Sequence, residues 1–179
     1  LGASTGGFTD CLLQRGAAAV IALDVGRDQL DEGLKRDTRV TVMEGVNARD
    51  IDISDLPFAP DIVTTDLSFI SQTLVYPAVA RVLERGYFIS LIKPQFEAGK
   101  ENVGKKGVVR DPAIHKMVLD NFVSLANSLG FTILGLTFSP VKGPEGNIEF
   151  LAHLTLADQP GIRPDTADVV RQAHEKLRG

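Results

Sequence analysis

Hydrophobic residues in this chain fall into two patterns, short unbroken runs and helical stripes, which alternate from one end to the other. Ala17 to Val25 is an apolar, β-branched run ending in an acid, and it predicts a buried parallel strand. Arg39 to Glu44, Asp61 to Leu67 and Tyr87 to Ile92 predict further strands. Between the runs lie helices. Thr9 to Gly16 reads as a short helix with a glycine stop, and Asp28 to Arg36 as a short polar one. Leu74, Val75, Ala78, Val79, Val82 and Leu83 recur at helical spacing up to Gly86. Asp111-Pro112 is a cap followed by proline at the first helical position. From there Ile114, Val118, Phe122, Leu125 and Leu129 mark one apolar face up to Gly130. Phe131 to Phe138 and Phe150 to Leu156 alternate as a closing antiparallel pair. Beyond Pro160 and Pro164, Asp165 to Leu177 predicts a terminal helix that the core does not require.

Alternating strands and helices predict an α/β fold with a mostly parallel sheet, and its chemistry is expected at the carboxyl ends of the strands. The first such feature is Gly2-Ala3-Ser4-Thr5-Gly6-Gly7-Phe8, a glycine-rich turn opening into a helix, as nucleotide-type cofactors require. The strand that should lead into it is nearly absent, so the chain reads as one lacking its N-terminal side. Asp24, followed by Val25, ends the next strand about twenty residues on, where a carboxylate accepts hydrogen bonds from ribose hydroxyls. A cap or a solvated strand end is the alternative for Asp24. Asn47 and Ala48 lie in the loop after the following strand, within reach of the nucleoside base, although Asn47 and Asp50 also suit a structural turn.

Three more polar residues fall at strand ends. Asp66 ends one strand, Lys93 closes an apolar strand beside Pro94, and Glu149 opens the last strand after a turn-rich insertion that also delivers Asn147. A carboxylate–lysine–carboxylate group beside a nucleoside pocket fits the deprotonation of a weakly acidic hydroxyl. Neutral lysine would accept the proton, and charged lysine would stabilise the developing alkoxide. Ala98 to Val109 has three glycines and three lysines and reads as a mobile loop over the site. Lys100, Lys105, Lys106 and Arg110 form either a basic lip for phosphates or a solvated loop.

At 179 residues the chain has room for one α/β domain, and 44% apolar with 23% charged residues is the balance of a soluble globular protein. Its single cysteine, Cys11, excludes an internal disulfide, fits a reducing cytoplasm, and is expected to pack inside the first helix. No apolar run reaches the ~20 residues that span a bilayer, no signal peptide is visible, and no stable membrane association is expected. A formal net charge of −4 argues against nucleic-acid binding over the whole surface and leaves a local basic patch open. His115, His153 and His174 share no metal-ligand spacing.

The stretches GASTGGFTDCLLQRGA, DLSFIS, IKPQFE, GVVRD and SPVKGPEGNIEF together resemble the TlyA-like, haemolysin A-labelled branch of the FtsJ-type (RrmJ-type) ribosomal RNA methyltransferases, from Leu1 to about Leu156. The resemblance implies a Rossmann-like class I S-adenosylmethionine-dependent methyltransferase, with a seven-stranded, mostly parallel sheet and an antiparallel final hairpin. It divides the chain into a methyltransferase domain over 1–158 and a tail with a helix over 159–179. It implies methyl transfer to a ribose 2′-hydroxyl, of cytidine, in ribosomal RNA or ribosomal subunits. Of the family's Lys-Asp-Lys-Glu set, the last three map onto Asp66, Lys93 and Glu149. The first lysine and a small N-terminal RNA-binding domain would precede Leu1. Competing readings are a nicotinamide-dependent oxidoreductase, a membrane-active haemolysin and a non-catalytic RNA- or cofactor-binding domain. The first is opposed by Ser4, which stands where the second glycine of a dinucleotide fingerprint should be. The second is opposed by the missing spanning segment.

Overall fold

The computed structural model describes residues 1–177. Its elements follow the alternation of the hydrophobic pattern. Helix α1 (Gly7–Gln14) leads to strand β1 (Val20–Asp24), α2 (Glu32–Arg36) to β2 (Val40–Glu44), and β3 (Ile62–Thr65) to α3 (Tyr76–Val82) and β4 (Tyr87–Ile92). A four-residue helix α4 (Pro94–Glu97), the long α5 (Pro112–Ser128), the strands β5 (Thr132–Phe138) and β6 (Phe150–Thr155), and α6 (Thr166–Lys176) complete the chain.

Helix α5 begins as its sequence predicts, with the Asp111 side chain accepting from the Ala113 N–H and Pro112 at the first position. Along β4, buried Phe88, Ser90 and Ile92 alternate with exposed Tyr87 and half-buried Ile89 and Leu91, and parallel β3 flanks one edge and antiparallel β6 the other. β5 and β6 form the expected antiparallel pair.

The strand count differs from expectation. Among the described residues there are six strands in two groups, a parallel β1–β2 pair and a sheet of order β3-β4-β6-β5. Where the sequence leads one to expect a strand entering the glycine turn, Leu1 to Ala3 bridge the two groups. The Leu1 amino group donates to the Thr64 carbonyl, Asp66 N–H donates to the Leu1 carbonyl, and Gly2 and Ala3 both donate to the Leu23 carbonyl. An apolar cavity of about 310 Å³, lined by Val20, Leu23, Val63 and Thr64 among others, lies between β1 and β3.

Two further expectations are corrected. Cys11 is exposed on α1, because the residues that helix buries are Thr9 and Leu13. The 98–109 segment is not free along its length. Val108 and Val109 are buried, and the amide of fully buried Asn147 donates to the Gly107 carbonyl and accepts from the Val109 N–H. The terminal helix contributes Val170 and Ala173 to the hydrophobic core, although its pattern did not demand it. It is seated partly by a histidine pair with no sequence signature, His115 Nδ1 and His174 Nε2 at 2.8 Å. Burial, together with the neighbouring His174, lowers the His115 pKa to about 4.

Candidate active site

The carboxyl ends of β1, β3 and β4 and the start of β6 face one region of the molecule, as parallel strands and a reversed final hairpin require. The glycine turn forms its first wall. Gly2 has a positive φ of 73°, and a Cβ on it would collide with the carbonyl oxygen of Asp66, so only glycine lets the turn lie against the end of β3. The Asp24 carboxylate is already engaged. Its Oδ2 accepts from the Ser4 N–H at 2.7 Å and its Oδ1 from the Gly26 N–H at 2.8 Å. Asp24 thus ties the turn to the end of β1, and each oxygen keeps acceptor capacity for a further donor. Ser4 itself has a positive φ of 46°, unusual for a residue other than glycine.

The other members of this wall differ in accessibility. Ser4, Thr5 and Gly7 are exposed, Ala3 and Phe8 are half-buried, and Gly6 is packed against the Leu30 and Leu34 side chains. Val25 is 72% exposed, an apolar side chain left uncovered beside the turn. Asn47 is half-buried and its side chain accepts from the Arg49 N–H, the turn role that its sequence also allowed. Ala48 is buried in the core, so only its backbone could touch a ligand.

Opposite the turn, the structure brings together the three polar strand-end residues. Lys93 Nζ lies 2.6 Å from Asp66 Oδ1 and donates to Ser68 Oγ at 3.2 Å. The lysine side chain is 12% exposed and that of Asp66 37%, so the pair is partly withdrawn from water, with Asp66 facing out. Glu149 is buried and accepts from Gln95 Nε2 at 3.2 Å. Burial raises the Glu149 pKa, and Asp66 adds to this, while the Gln95 hydrogen bond and the Lys93 charge oppose it. Gly143 packs flat against the Glu149 carboxylate, where a Cβ would overlap it. The basic residues are more dispersed. Lys105, Lys106 and Arg110 line one surface hollow with Asn102 and Val108, whereas exposed Lys100 lies outside it in a 3-10 turn.

Sequence reasoning missed Phe69. It is 93% exposed, has a positive φ of 64°, and its ring stands 5.3 Å from that of Phe96 in α4. An aromatic side chain left in water on strained backbone, three residues from Asp66, is a platform for another flat group. The signal was in the sequence, as an aromatic in a polar strand-end loop. The contributions of Gln95 and Ser68 carried no such signal, since they arise from contacts between distant segments.

The FtsJ-like methyltransferase model matches residues 1–156 of the chain. YqxC of Bacillus subtilis, named as an rRNA methyltransferase, is 49% identical over 185 residues, covering 99% of this chain and 66% of its own length. The 16S/23S rRNA (cytidine-2′-O)-methyltransferase TlyA of Mycobacterium tuberculosis is 42% identical over 174 residues, covering 96% of this chain and 65% of its own. The chain therefore spans about two thirds of the length of these relatives. A solved structure of a protein named as a hemolysin, from Streptococcus thermophilus, superposes with a TM-score of 0.94 at 46% identity, over 99% of this chain and 66% of that one. At 15% identity, a SAM-dependent methyltransferase structure from Methanosarcina mazei shares the fold with a TM-score of 0.61. No helix among the described residues is long and apolar enough to cross a membrane.

Proposed function

The chain belongs to the FtsJ-like methyltransferase family, and from that premise we propose that it carries the catalytic site of an S-adenosylmethionine-dependent RNA methyltransferase acting on a ribose 2′-hydroxyl. The observation that carries the proposal is the Lys93–Asp66 pair at 2.6 Å, with buried Glu149 beside it, facing a glycine turn that itself touches Asp66.

The turn fits the cofactor. Its path along the end of β3 tolerates no side chain at Gly2, Asp24 retains acceptor capacity for ribose hydroxyls, and exposed Val25 offers an apolar face to a base. Residues 2–8, Asp24, Val25, and Asn47 with the Ala48 backbone would hold it. When bound, S-adenosylmethionine supplies an electrophilic methyl group on a sulfonium.

The chain's own residues then act on the hydroxyl. Paired with Asp66, Lys93 is a charged donor held in place by two partners, suited to orienting the 2′-oxygen and stabilising negative charge as it develops. Glu149 has the raised proton affinity of a buried carboxylate and serves as acceptor for the hydroxyl proton. Phe69 offers its face to the target base, and the Lys105, Lys106 and Arg110 hollow, with Lys100 nearby, takes backbone phosphates. The substrate proposed is ribosomal RNA or a ribosomal subunit, with cytidine as the target, as the printed name of the Mycobacterium tuberculosis relative states for that protein.

The test is incubation of ribosomal subunits with the protein and isotopically labelled S-adenosylmethionine, followed by mass mapping of the RNA. Label on a ribose 2′-oxygen is the expected result. Label on a base, or cofactor binding with no label under conditions where TlyA of Mycobacterium tuberculosis transfers methyl, overturns the proposal.

A further inference from the structure

Helix α4 is a single turn, yet alternate side chains from its cap onward reach two other segments at three separate points. Lys93 goes to Asp66 and Ser68, and Gln95 to Glu149. Glu97 goes to neither, and methyl transfer as described above makes no use of it. Its Oε2 accepts from Ser71 Oγ at 2.7 Å and its Oε1 from the Gln72 backbone N–H at 2.8 Å. Ser71 and Gln72 close the segment that starts at Asp66 and carries Ser68 and Phe69.

We propose that Glu97 is a positioning residue, clamping segment 67–72 to the turn that carries Lys93, so that Ser68, Phe69 and Lys93 keep one arrangement during methyl transfer. The inference rests on the methyl-transfer reading for its kinetic consequence and on geometry alone for the clamp.

Three observations support it. First, the chemistry is specific. An ionised carboxylate is acceptor-only, and the two donors come from adjacent residues, so one side chain satisfies both at once. Second, the far end of the segment is anchored deep in the core. The Gln72 side chain meets Tyr76 Oη at 2.6 Å, bonds to buried Ser90, and donates to the Leu91 carbonyl. Tyr76, Ser90 and Thr65 are fully buried, so Gln72 is a fixed point and Glu97 transmits it to α4. Third, packing alone does not do the same job: the Phe69 ring meets Phe96 of α4, but the Glu97 carboxylate itself lies beside open space. A cavity of about 260 Å³, lined by Glu97, Gln72, Tyr76, Asn121 and Phe122, adjoins the carboxylate. With open space beside it, Glu97 is held by hydrogen bonds rather than by shape. Its burial raises the carboxyl pKa, and the Gln72 and Ser71 hydrogen bonds oppose that rise.

The experiment uses the full chain and its Glu97→Ala, Glu97→Gln and Ser71→Ala variants. It measures methyl transfer to ribosomal subunits, S-adenosylmethionine affinity by calorimetry, and amide hydrogen exchange of segments 66–73 and 20–26. In Glu97→Ala, kcat is expected to fall by about tenfold or more, the scale of a small misplacement of reacting groups. Cofactor affinity should change by less than about twofold, and exchange should rise in 66–73 and not in 20–26. Glu97→Gln should recover to within about threefold of wild type, because its amide can still accept from the Gln72 N–H and donate to Ser71. Unchanged exchange in 66–73 for Glu97→Ala overturns the clamp, as does a parallel loss of kcat and cofactor affinity with exchange rising in both segments. Should Glu97→Ala not fold, Ser71→Ala removes one of the two bonds together with the Ser71 cap on the Thr73 N–H, so it is read by exchange at residues 67–70 alone. A wild-type protein that transfers no methyl would defeat the methyl-transfer reading, while the exchange comparison would still decide the clamp.

Discussion

The two walls of the candidate site are built on different principles. The glycine-turn wall is local and made of backbone: residues 2–8 and 24–26 hold one another through N–H groups and one carboxylate, and several of their side chains are exposed. The opposite wall is made of side chains from segments up to 83 positions apart in sequence, Asp66, Lys93 and Glu149, each with a partner in another segment. A backbone cradle needs permissive residues in one short stretch, whereas a catalytic group needs ionisable side chains partly withdrawn from water, and burial for each has to be offset by a neighbour. The first wall should therefore govern affinity and the second rate.

The sharpest way to break that division is Lys93→Ala. Methyl transfer at saturating cofactor should drop about a thousandfold, the upper range for removing one preorganised donor. Calorimetry should find S-adenosylmethionine affinity within about twofold of wild type, and a matching loss of affinity would merge the two walls into one. Asp24→Asn is the converse. It leaves one acceptor oxygen in place of two, so either the Ser4 or the Gly26 N–H loses its partner. Cofactor affinity should weaken by about ten- to thirtyfold on the cost of an unpaired donor, with kcat largely kept once cofactor saturates. Phe69→Ala sharpens the comparison from the substrate side. Stacking lost from one base is worth about tenfold in KM for RNA, and the melting temperature should not move because the ring is 93% exposed.

The smallest effect is one of stability. The Glu149 pKa is raised in the fold by burial, so the folded protein holds that proton more tightly than the unfolded chain does. Glu149 therefore favours folding below its unfolded pKa, and the contribution is lost as pH rises through the folded value. Glu149→Gln should melt about 2 °C above wild type near pH 7.5, converge with it at acid pH, and lose methyl transfer throughout. Equal melting temperatures at both pH values would remove burial as the cause of the shift.

Legibility follows the same division. The glycine turn, the ends of β1, β3 and β4, the cap of α5 and the β5–β6 pair were readable because each depends on neighbours in sequence: a turn needs small residues, a buried strand a β-branched run, a helix start its cap. Asp66, Lys93 and Glu149 were readable as polar residues misplaced at the ends of apolar strands. What they touch was not. Gln95 on Glu149, Ser68 on Lys93, Asn147 across to Gly107 and Val109, and the His115–His174 contact join positions between 25 and 59 residues apart, and no local preference encodes them. Cys11 was misread for the same reason. A helix pattern tells which residue types suit a core, and only packing decides which face turns toward it.

By itself, then, the sequence determined the order of the elements, the place of the glycine turn and the identity of the ionisable residues at the strand ends, since backbone preference and hydrophobic period act over a few residues. The tertiary structure decided which of those residues meet, that burial raises the proton affinity of Glu149, and that Glu97 of α4 reaches Ser71 and Gln72 beside the Phe69 segment. Those outcomes depend on distance and solvent exclusion, which exist only once the sheet has brought the strand ends to one side.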